Sequence, residues 1–176
     1  MGQKGVDLMR TKALSDDSMD MVLRLLTAPN ELACRVSLET GLRIGDVLAL
    51  RASCLCKDSF VVTESKTGKR RKVRLSERLR EALARQSGKV YVFECRVDMY
   101  KHRTRQAVYK DIKRAAKAAR LDSAVGAHSM RKTYAVRKYR ACGDMRKVQK
   151  LLLHSDEAVT RLYALADVIE ARQLLH

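Results

Sequence analysis

Hydrophobic positions along the chain recur mostly at the three- to four-residue spacing of amphipathic helices. Capping residues mark several boundaries, because Ser15, Ser76 and Asp144 each stand before a periodic stretch and Gly41 follows one, while Thr104 starts a long basic helix. The pattern predicts helices over residues 15–28, 31–40, 43–50, 76–86, 104–120, 127–142 and 144–154, with another from residue 155 and an amphipathic one over 166–175.

Strand-like stretches interrupt this helical pattern. Residues 60–63 and 72–75 are predicted as two strands that flank a hairpin turn in which Gly68 is available for positive φ. Residues 90–93 are a possible third strand, and Pro29 is expected to end the first helix. We therefore expect an α+β domain, mainly α, with a small antiparallel sheet.

Charge is distributed unevenly over a chain whose 176 residues suit one domain. Residues 1–64 hold 8 Lys and Arg against 9 Asp and Glu, whereas residues 65–176 hold 29 against 11, for a net charge of +17. Such an excess indicates a polyanionic partner, either nucleic acid or an anionic membrane surface. Nucleic acid is favoured, since no apolar run approaches the roughly 18 residues of a membrane span. No signal-peptide pattern opens the sequence, and we expect a cytoplasmic protein that does not bind membranes.

Cysteine and histidine spacing argues against a metal site. The five cysteines include no CxxC pair, and the four histidines are scattered along the chain. We expect reduced thiols, no structural metal and no cofactor.

The most informative stretch lies near the carboxyl end. His154 and Tyr163 stand nine residues apart, separated by a polar link in which Ser155 is a candidate helix N-cap. Upstream, His128 and Arg131 form an i,i+3 pair on one helical face. Two histidines, an arginine and a tyrosine in this arrangement suggest phosphoryl chemistry with the tyrosine as nucleophile.

Further candidates stand earlier in the chain. Arg43 and Asp46 share a face of the predicted helix 43–50. Lys66 opens the hairpin turn, although Lys69 and the basic run at residues 70–72 compete with it. Each motif is weak alone, but the order and local structure of all of them resemble the tyrosine recombinase (phage integrase) catalytic domain from about residue 15 to the end. The resemblance implies the DNA breaking-rejoining fold and cleavage of one DNA strand through a 3′-phosphotyrosine, without metal or cofactor.

Roles follow from this resemblance and from the chemistry of a phosphodiester under attack. Arg43 and Arg131 would clamp the non-bridging oxygens, because a guanidinium fork matches phosphate geometry, with His154 as a further donor. Tyr163 would attack phosphorus. The resemblance further implies that His128 is the base, that Lys66 is the acid for the departing 5′-oxygen and that Asp46 orients the arginine and histidine side of the site.

The sequence departs from the family pattern at several positions. Lys132 follows Arg131 where histidine is common, Arg74 stands near the end of the second strand where proline is usual, and Leu153 replaces a glycine before His154. None of these changes removes a chemical group from the mechanism. Residues 1–14 are expected to be a linker or a remnant, and the amino-terminal core-binding domain of relatives is expected to be absent before the catalytic domain at 15–176.

Three functions stay open at this point. The favoured one is a site-specific recombinase or integrase that acts on double-stranded DNA in the integration or excision of a mobile element. It would assemble as a synaptic tetramer through the 13-residue tail after Tyr163. The alternatives are an inactive basic DNA-binding module and a type IB topoisomerase-like relaxing enzyme.

Overall fold

The structure is a computed structural model that describes residues 14–121 and 125–152. Its regular elements are α1 (Asp16–Arg24), α2 (Ala28–Thr40), α3 (Ile44–Leu48), a 3₁₀ turn (Ala52–Cys56), β1 (Ser59–Thr63), β2 (Arg70–Arg74), α4 (Glu77–Gln86), α5 (Arg105–Ala118), α6 (Ala127–Cys142) and α7 (Met145–Leu152). The domain is mainly helical with a two-stranded antiparallel sheet, which confirms the predicted class.

Helix α2 organises the packing, since it contacts α1, α3, α4 and α6. Its side chains Ala33, Cys34 and Val36 are fully buried in the main hydrophobic core. A smaller cluster forms where α6 meets α7, around Tyr134 and Leu152. The carboxyl ends of α2 and α7 are thereby brought to the same part of the molecule as the first turns of α6.

The hairpin packs one face onto the core. Phe60 lies opposite Val73 and Val62 opposite Arg71 in the antiparallel register. Burial alternates along β1, with Phe60 and Val62 inside and Val61 exposed. Because the side-chain period of a strand is two residues, the same buried face continues to Glu64 at the start of the turn.

Most predicted helix boundaries are confirmed by their caps. The Ser15 side chain accepts a hydrogen bond from the Ser18 N–H at 3.3 Å, and the Thr104 hydroxyl accepts one from the Ala107 N–H at 3.2 Å. Asp144 accepts one from the Arg146 N–H at 2.9 Å. Ser76 differs, because its hydroxyl donates to the Glu39 carboxylate at 2.8 Å instead of capping α4.

The prediction that Pro29 ends the first helix is wrong, because Pro29 lies in the first turn of α2. Helix α1 ends at Arg24, and α2 begins at Ala28 after the N-cap Thr27. Proline is tolerated there because its missing N–H would have no partner in the first turn of a helix. The Thr27 hydroxyl donates instead to Asp111 on α5 at 2.8 Å, which ties the start of α2 to that helix.

The predicted strand at residues 90–93 is also wrong. The segment makes only an isolated bridge between Tyr91 and Arg51, whose guanidinium lies 4.3 Å from the Tyr91 ring centroid. Val92 and Phe93 are buried in the core nonetheless. The apolar run reflects burial of an irregular segment, which a short hydrophobic pattern does not distinguish from a strand.

The structure bears on the sequence expectations for membrane spans, metal ligands and cysteines. Within residues 14–121 and 125–152, no helix has the length and hydropathy needed to cross a membrane. In the same ranges, no three His, Cys, Asp or Glu side chains group as metal ligands would. All five cysteines, which lie in the described ranges, are free thiols.

Candidate active site

Two predicted arginines meet at one buried carboxylate. Arg43 forms an ion pair with Glu64, and the Arg131 Nη1 atom lies 3.6 Å from the Glu64 Oε1 atom. The Glu64 side chain is 0% exposed, and those of Arg131 and Arg43 are 6% and 17% exposed. The structure therefore brings together two guanidinium groups from distant parts of the sequence.

A tight corner after α2 sets the position of Arg43. Gly41 ends α2 in the left-handed region at φ 69°. A Cβ atom at this position would lie 2.5 Å from the Tyr134 ring, so only glycine lets α6 approach the corner this closely. Arg43 follows as the N-cap residue of α3, with an extended backbone that turns its side chain toward the hairpin.

Arg131 bridges the ends of two helices. It lies in a buried half of α6, and its Nη1 and Nη2 atoms donate to the Gly41 carbonyl at 2.5 Å and the Leu152 carbonyl at 2.6 Å. A cation at the carboxyl end of α2 is favoured by the helix dipole. Burial lowers the pKa of Arg131 to about 10, and the positive charge of Arg43 adds to this, while Glu64 opposes it. The guanidinium therefore remains charged at neutral pH.

Arg71 adds a third guanidinium that the sequence interpretation treated as part of a solvated run. Its Nη2 atom donates to the Thr40 carbonyl at 2.5 Å, and its Nη1 atom donates to the Leu151 carbonyl. Burial lowers the pKa of Arg71. Its position opposite Val62 was the available signal, because directly paired residues of an antiparallel ladder share one face.

Hydrogen bonds to Asp46 and Glu64 hold the hairpin turn beside the arginine site. The Asp46 Oδ1 atom accepts a hydrogen bond from the Ser65 N–H at 3.0 Å, and the Glu64 carbonyl accepts one from the Gly68 N–H at 2.8 Å. Asp46 is therefore bonded to the residue that precedes Lys66. Lys66 and Lys69 are both exposed in this turn, so the choice of Lys66 as the acid stays a prediction.

His128 lies in the first turn of α6, half-buried, one helical turn before Arg131. Lys132, which replaces the usual histidine, is buried, and its burial lowers the pKa of its ammonium group. His154 and Tyr163 lie outside the described residues. The last described residue, Leu152, is bonded to Arg131 only two positions before His154.

Glu64 was missed by the sequence interpretation. The signal for it was the alternation of β1, because extending the buried positions 60 and 62 by one step places a carboxylate on the core face. A buried carboxylate needs a cationic or hydrogen-bonding partner, and the nearby arginines supply it.

Comparison with known proteins identifies relatives along most of the chain. The family model described as "Phage integrase family" matches residues 11–168. The probable integrase/recombinase YoeC of Bacillus subtilis (strain 168) is 31% identical over 131 residues, which cover 72% of this chain and 71% of YoeC. Tyrosine recombinase XerC of Xanthomonas campestris pv. campestris (strain B100) is 34% identical over 164 residues, covering 87% of this chain and 50% of that protein. The chain thus spans about half the length of this XerC.

Solved structures share the fold. XerA recombinase superposes with a TM-score of 0.72 at 22% identity, over 92% of this chain and 63% of that one. A lambda integrase tetramer bound to a Holliday junction gives a TM-score of 0.69 at 19% identity, over 88% of this chain and 48% of that one. The family match and the shared fold agree with the arginine site: the chain belongs to the phage integrase family, and its fold is that of the tyrosine recombinase catalytic domain.

Proposed function

We propose that the chain cleaves and rejoins DNA strands as the catalytic domain of a site-specific recombinase or integrase. The observation that carries this proposal is the convergence of Arg43 and Arg131 on Glu64 beside the hairpin that bears Lys66. Two guanidinium groups side by side suit a phosphodiester, whose non-bridging oxygens gain negative charge when phosphorus is attacked.

The chemistry is a transesterification at one phosphodiester. The Tyr163 oxygen forms a bond to phosphorus as the bond from phosphorus to the 5′-oxygen breaks, leaving a 3′-phosphotyrosine and a 5′-hydroxyl. A tyrosine hydroxyl has a pKa near 10 and needs a base, for which we propose His128. Lys66 donates a proton to the departing 5′-oxygen, and attack by a new 5′-hydroxyl reverses the sequence of steps.

The remaining residues assist this step. His154 donates a further hydrogen bond to the phosphate, and Asp46 orients the site through its neighbours without touching DNA. The described hydrogen bond of Asp46 to the Ser65 N–H supports a role in placing the Lys66 turn. The proposed steps require no metal or cofactor, because side chains supply every donor and proton.

We propose double-stranded DNA as the substrate and partner, and the cytoplasm as the place of action. The strongly basic region after residue 64 supports DNA as the partner. The related XerH was solved bound to its difH substrate, and lambda integrase as a tetramer on a Holliday junction. By analogy we propose a synaptic tetramer held together by the tail after Tyr163.

Covalent trapping tests this function. A pool of nicked suicide duplexes with randomised arms lets the cut strand diffuse away, so that the protein stays attached, and a denaturing gel then reveals the adduct. We expect an adduct from the parent and none from Tyr163→Phe, which keeps the ring and loses the nucleophile. Equal adduct from both proteins would refute the assignment of Tyr163, and none from the parent would favour a non-catalytic DNA-binding module.

A further inference from the structure

We propose that Glu64 is a positioning residue that sets both arginines of the site with its side chain and the Lys66 turn with its backbone. The inference rests on the proposed function, since it concerns how the same site is organised before DNA binds. Glu64 is wholly buried and is the carboxylate common to Arg43 and Arg131.

The charge balance of the site explains why a carboxylate is needed there. Arg43, Arg71 and Arg131 place three cations close enough that the charges of Arg43 and Arg71 each lower the pKa of Arg131. Without an internal anion these cations would repel one another, and the buried ones would lose the interaction that offsets their desolvation. Glu64 provides that anion on the side away from solvent.

The two contacts of the Glu64 carboxylate differ in kind. It accepts a hydrogen bond from Arg43, whereas Oε1 lies 3.6 Å from Arg131 and has no hydrogen-bond partner among the described residues. Glu64 therefore attracts the Arg131 guanidinium without occupying one of its N–H groups. Such an arrangement holds the second arginine near a phosphate position while keeping its donors for carbonyls and substrate oxygens.

The backbone of the same residue closes the hairpin. The Glu64 N–H donates to the Lys69 carbonyl at 3.0 Å, and the Glu64 carbonyl accepts from the Gly68 N–H at 2.8 Å. These bonds bracket the turn that carries Lys66. A shift of the Glu64 backbone would therefore move the arginine pair and the lysine turn together. Because Glu64 is fully buried, it acts through these groups and not on DNA.

Glu64→Gln is the sharpest test, because it keeps the shape and removes the charge. A nicked duplex recovered from the randomised pool serves as substrate, with single-turnover adduct formation measured per folded protein. We expect the rate to fall about 10²-fold, the scale of a misplaced catalytic group, with duplex binding largely retained. Asp111→Asn is the matched control, since Asp111 is also buried and paired with an arginine but lies in the network of Thr27, Asn30 and Arg114. Its rate per folded protein should equal that of the parent.

A modified substrate separates positioning from general damage to the fold. A methylphosphonate at the scissile position carries less negative charge, so it depends less on the arginines. The defect of Glu64→Gln should shrink on this substrate, in parallel with that of Arg43→Ala. A substrate with a 5′-bridging sulfur, which departs without a proton, should relieve the defect less completely because only the Lys66 step is bypassed.

The outcomes are distinguishable. A parent that forms no adduct on the pool would remove the proposed function itself. A parent that reacts while Glu64→Gln reacts equally fast, or is impaired to the same degree on the phosphodiester and the methylphosphonate, would overturn the role of Glu64 alone. If Glu64→Gln does not fold, Glu64→Asp tests positioning on the same two substrates, because it keeps the charge but withdraws the carboxylate from the arginines by one methylene; an Asp variant that reacts as fast as the parent would then overturn the role of Glu64.

Discussion

At the scale of single residues, the site depends on guanidinium groups and not on positive charge alone. Arg131 donates in two directions at once, to the Gly41 and Leu152 carbonyls, while it lies beside Glu64. Lysine has a compact ammonium group on a flexible stem and does not reproduce a planar fork. Arg43 has a simpler environment, since its described ion pair is with Glu64 alone and its side chain is partly exposed.

Arg43→Lys should therefore lower cleavage with little loss of stability. We expect single-turnover adduct formation to fall on the order of 10²–10³-fold, the typical cost of one lost donor to a developing oxyanion. Arg85→Lys, at an exposed pair with Glu81 on α4, is the control and should react like the parent. Cleavage by Arg43→Lys at the parental rate would show that the clamp needs only charge.

Site residues could be predicted from the sequence where they belong to a motif with recognisable spacing. Arg43, Asp46 and Arg131 could be predicted as site residues because they belong to spaced motifs, and the structure gathers them around the start of the hairpin. Glu64 and Arg71 were missed because charged residues at strand ends usually face solvent. The burial of Arg71 depends on the cross-strand register, which long-range packing determines, whereas the burial of Glu64 follows only if the alternation of β1 is extended past its last residue.

At the scale of elements, the connection between α2 and α3 places several structural requirements on one residue. Gly41 combines positive φ, a carbonyl that accepts from Arg131, and close approach to Tyr134. Gly143 at the end of α6 has a similar φ of 62°, but a Cβ there would meet nothing within 4 Å. Both glycines therefore have a left-handed backbone, but only Gly41 is also required by close packing.

Gly41→Ala should destabilise the domain more than Gly143→Ala. The shared left-handed backbone costs roughly 1–2 kcal/mol for any residue with a Cβ. Only position 41 adds a clash with the Tyr134 ring, at 2.5 Å, which forces α6 away from α2 and displaces Arg131. Chemical denaturation of both variants measures the difference, and equal losses of unfolding free energy would contradict this account of the corner.

Elements were predictable where capping chemistry is local. The bounds of α6 and the caps before α1, α5 and α7 followed from sequence because serine, threonine, aspartate and glycine act within one helical turn. The start of α2 did not, since Thr27 bonds to Asp111 far along the chain. The strand predicted at residues 90–93 was wrong for a similar reason, because these apolar residues are buried by tertiary packing without forming a strand.

At the scale of the whole molecule, the charge distribution favours DNA binding largely independent of sequence. The acidic and basic residues nearly cancel up to residue 64, and the excess of cations follows it. Such cations displace counterions from DNA when they bind phosphates. Association of this kind weakens steeply as salt rises.

Duplex binding should therefore lose about 0.9 log units of affinity per phosphate contact for each log unit of salt. Fluorescence anisotropy with a labelled duplex across a salt series measures the slope. Lys69→Ala, in the exposed turn, should weaken binding evenly across DNA sequences and reduce the slope by about 1. A slope near zero for the parent would contradict the electrostatic account.

The central claim is that one tyrosine oxygen takes the place of a 5′-oxygen on a phosphorus held by the arginine pair. Mass spectrometry of the trapped adduct, after protease and nuclease digestion, tests it most directly by locating the attached nucleotide. The account predicts a 3′-nucleotide on Tyr163, together with a free 5′-hydroxyl on the released strand. Attachment to any other residue, such as Tyr139 on α6, or a 5′-phosphate on the released strand, would contradict it.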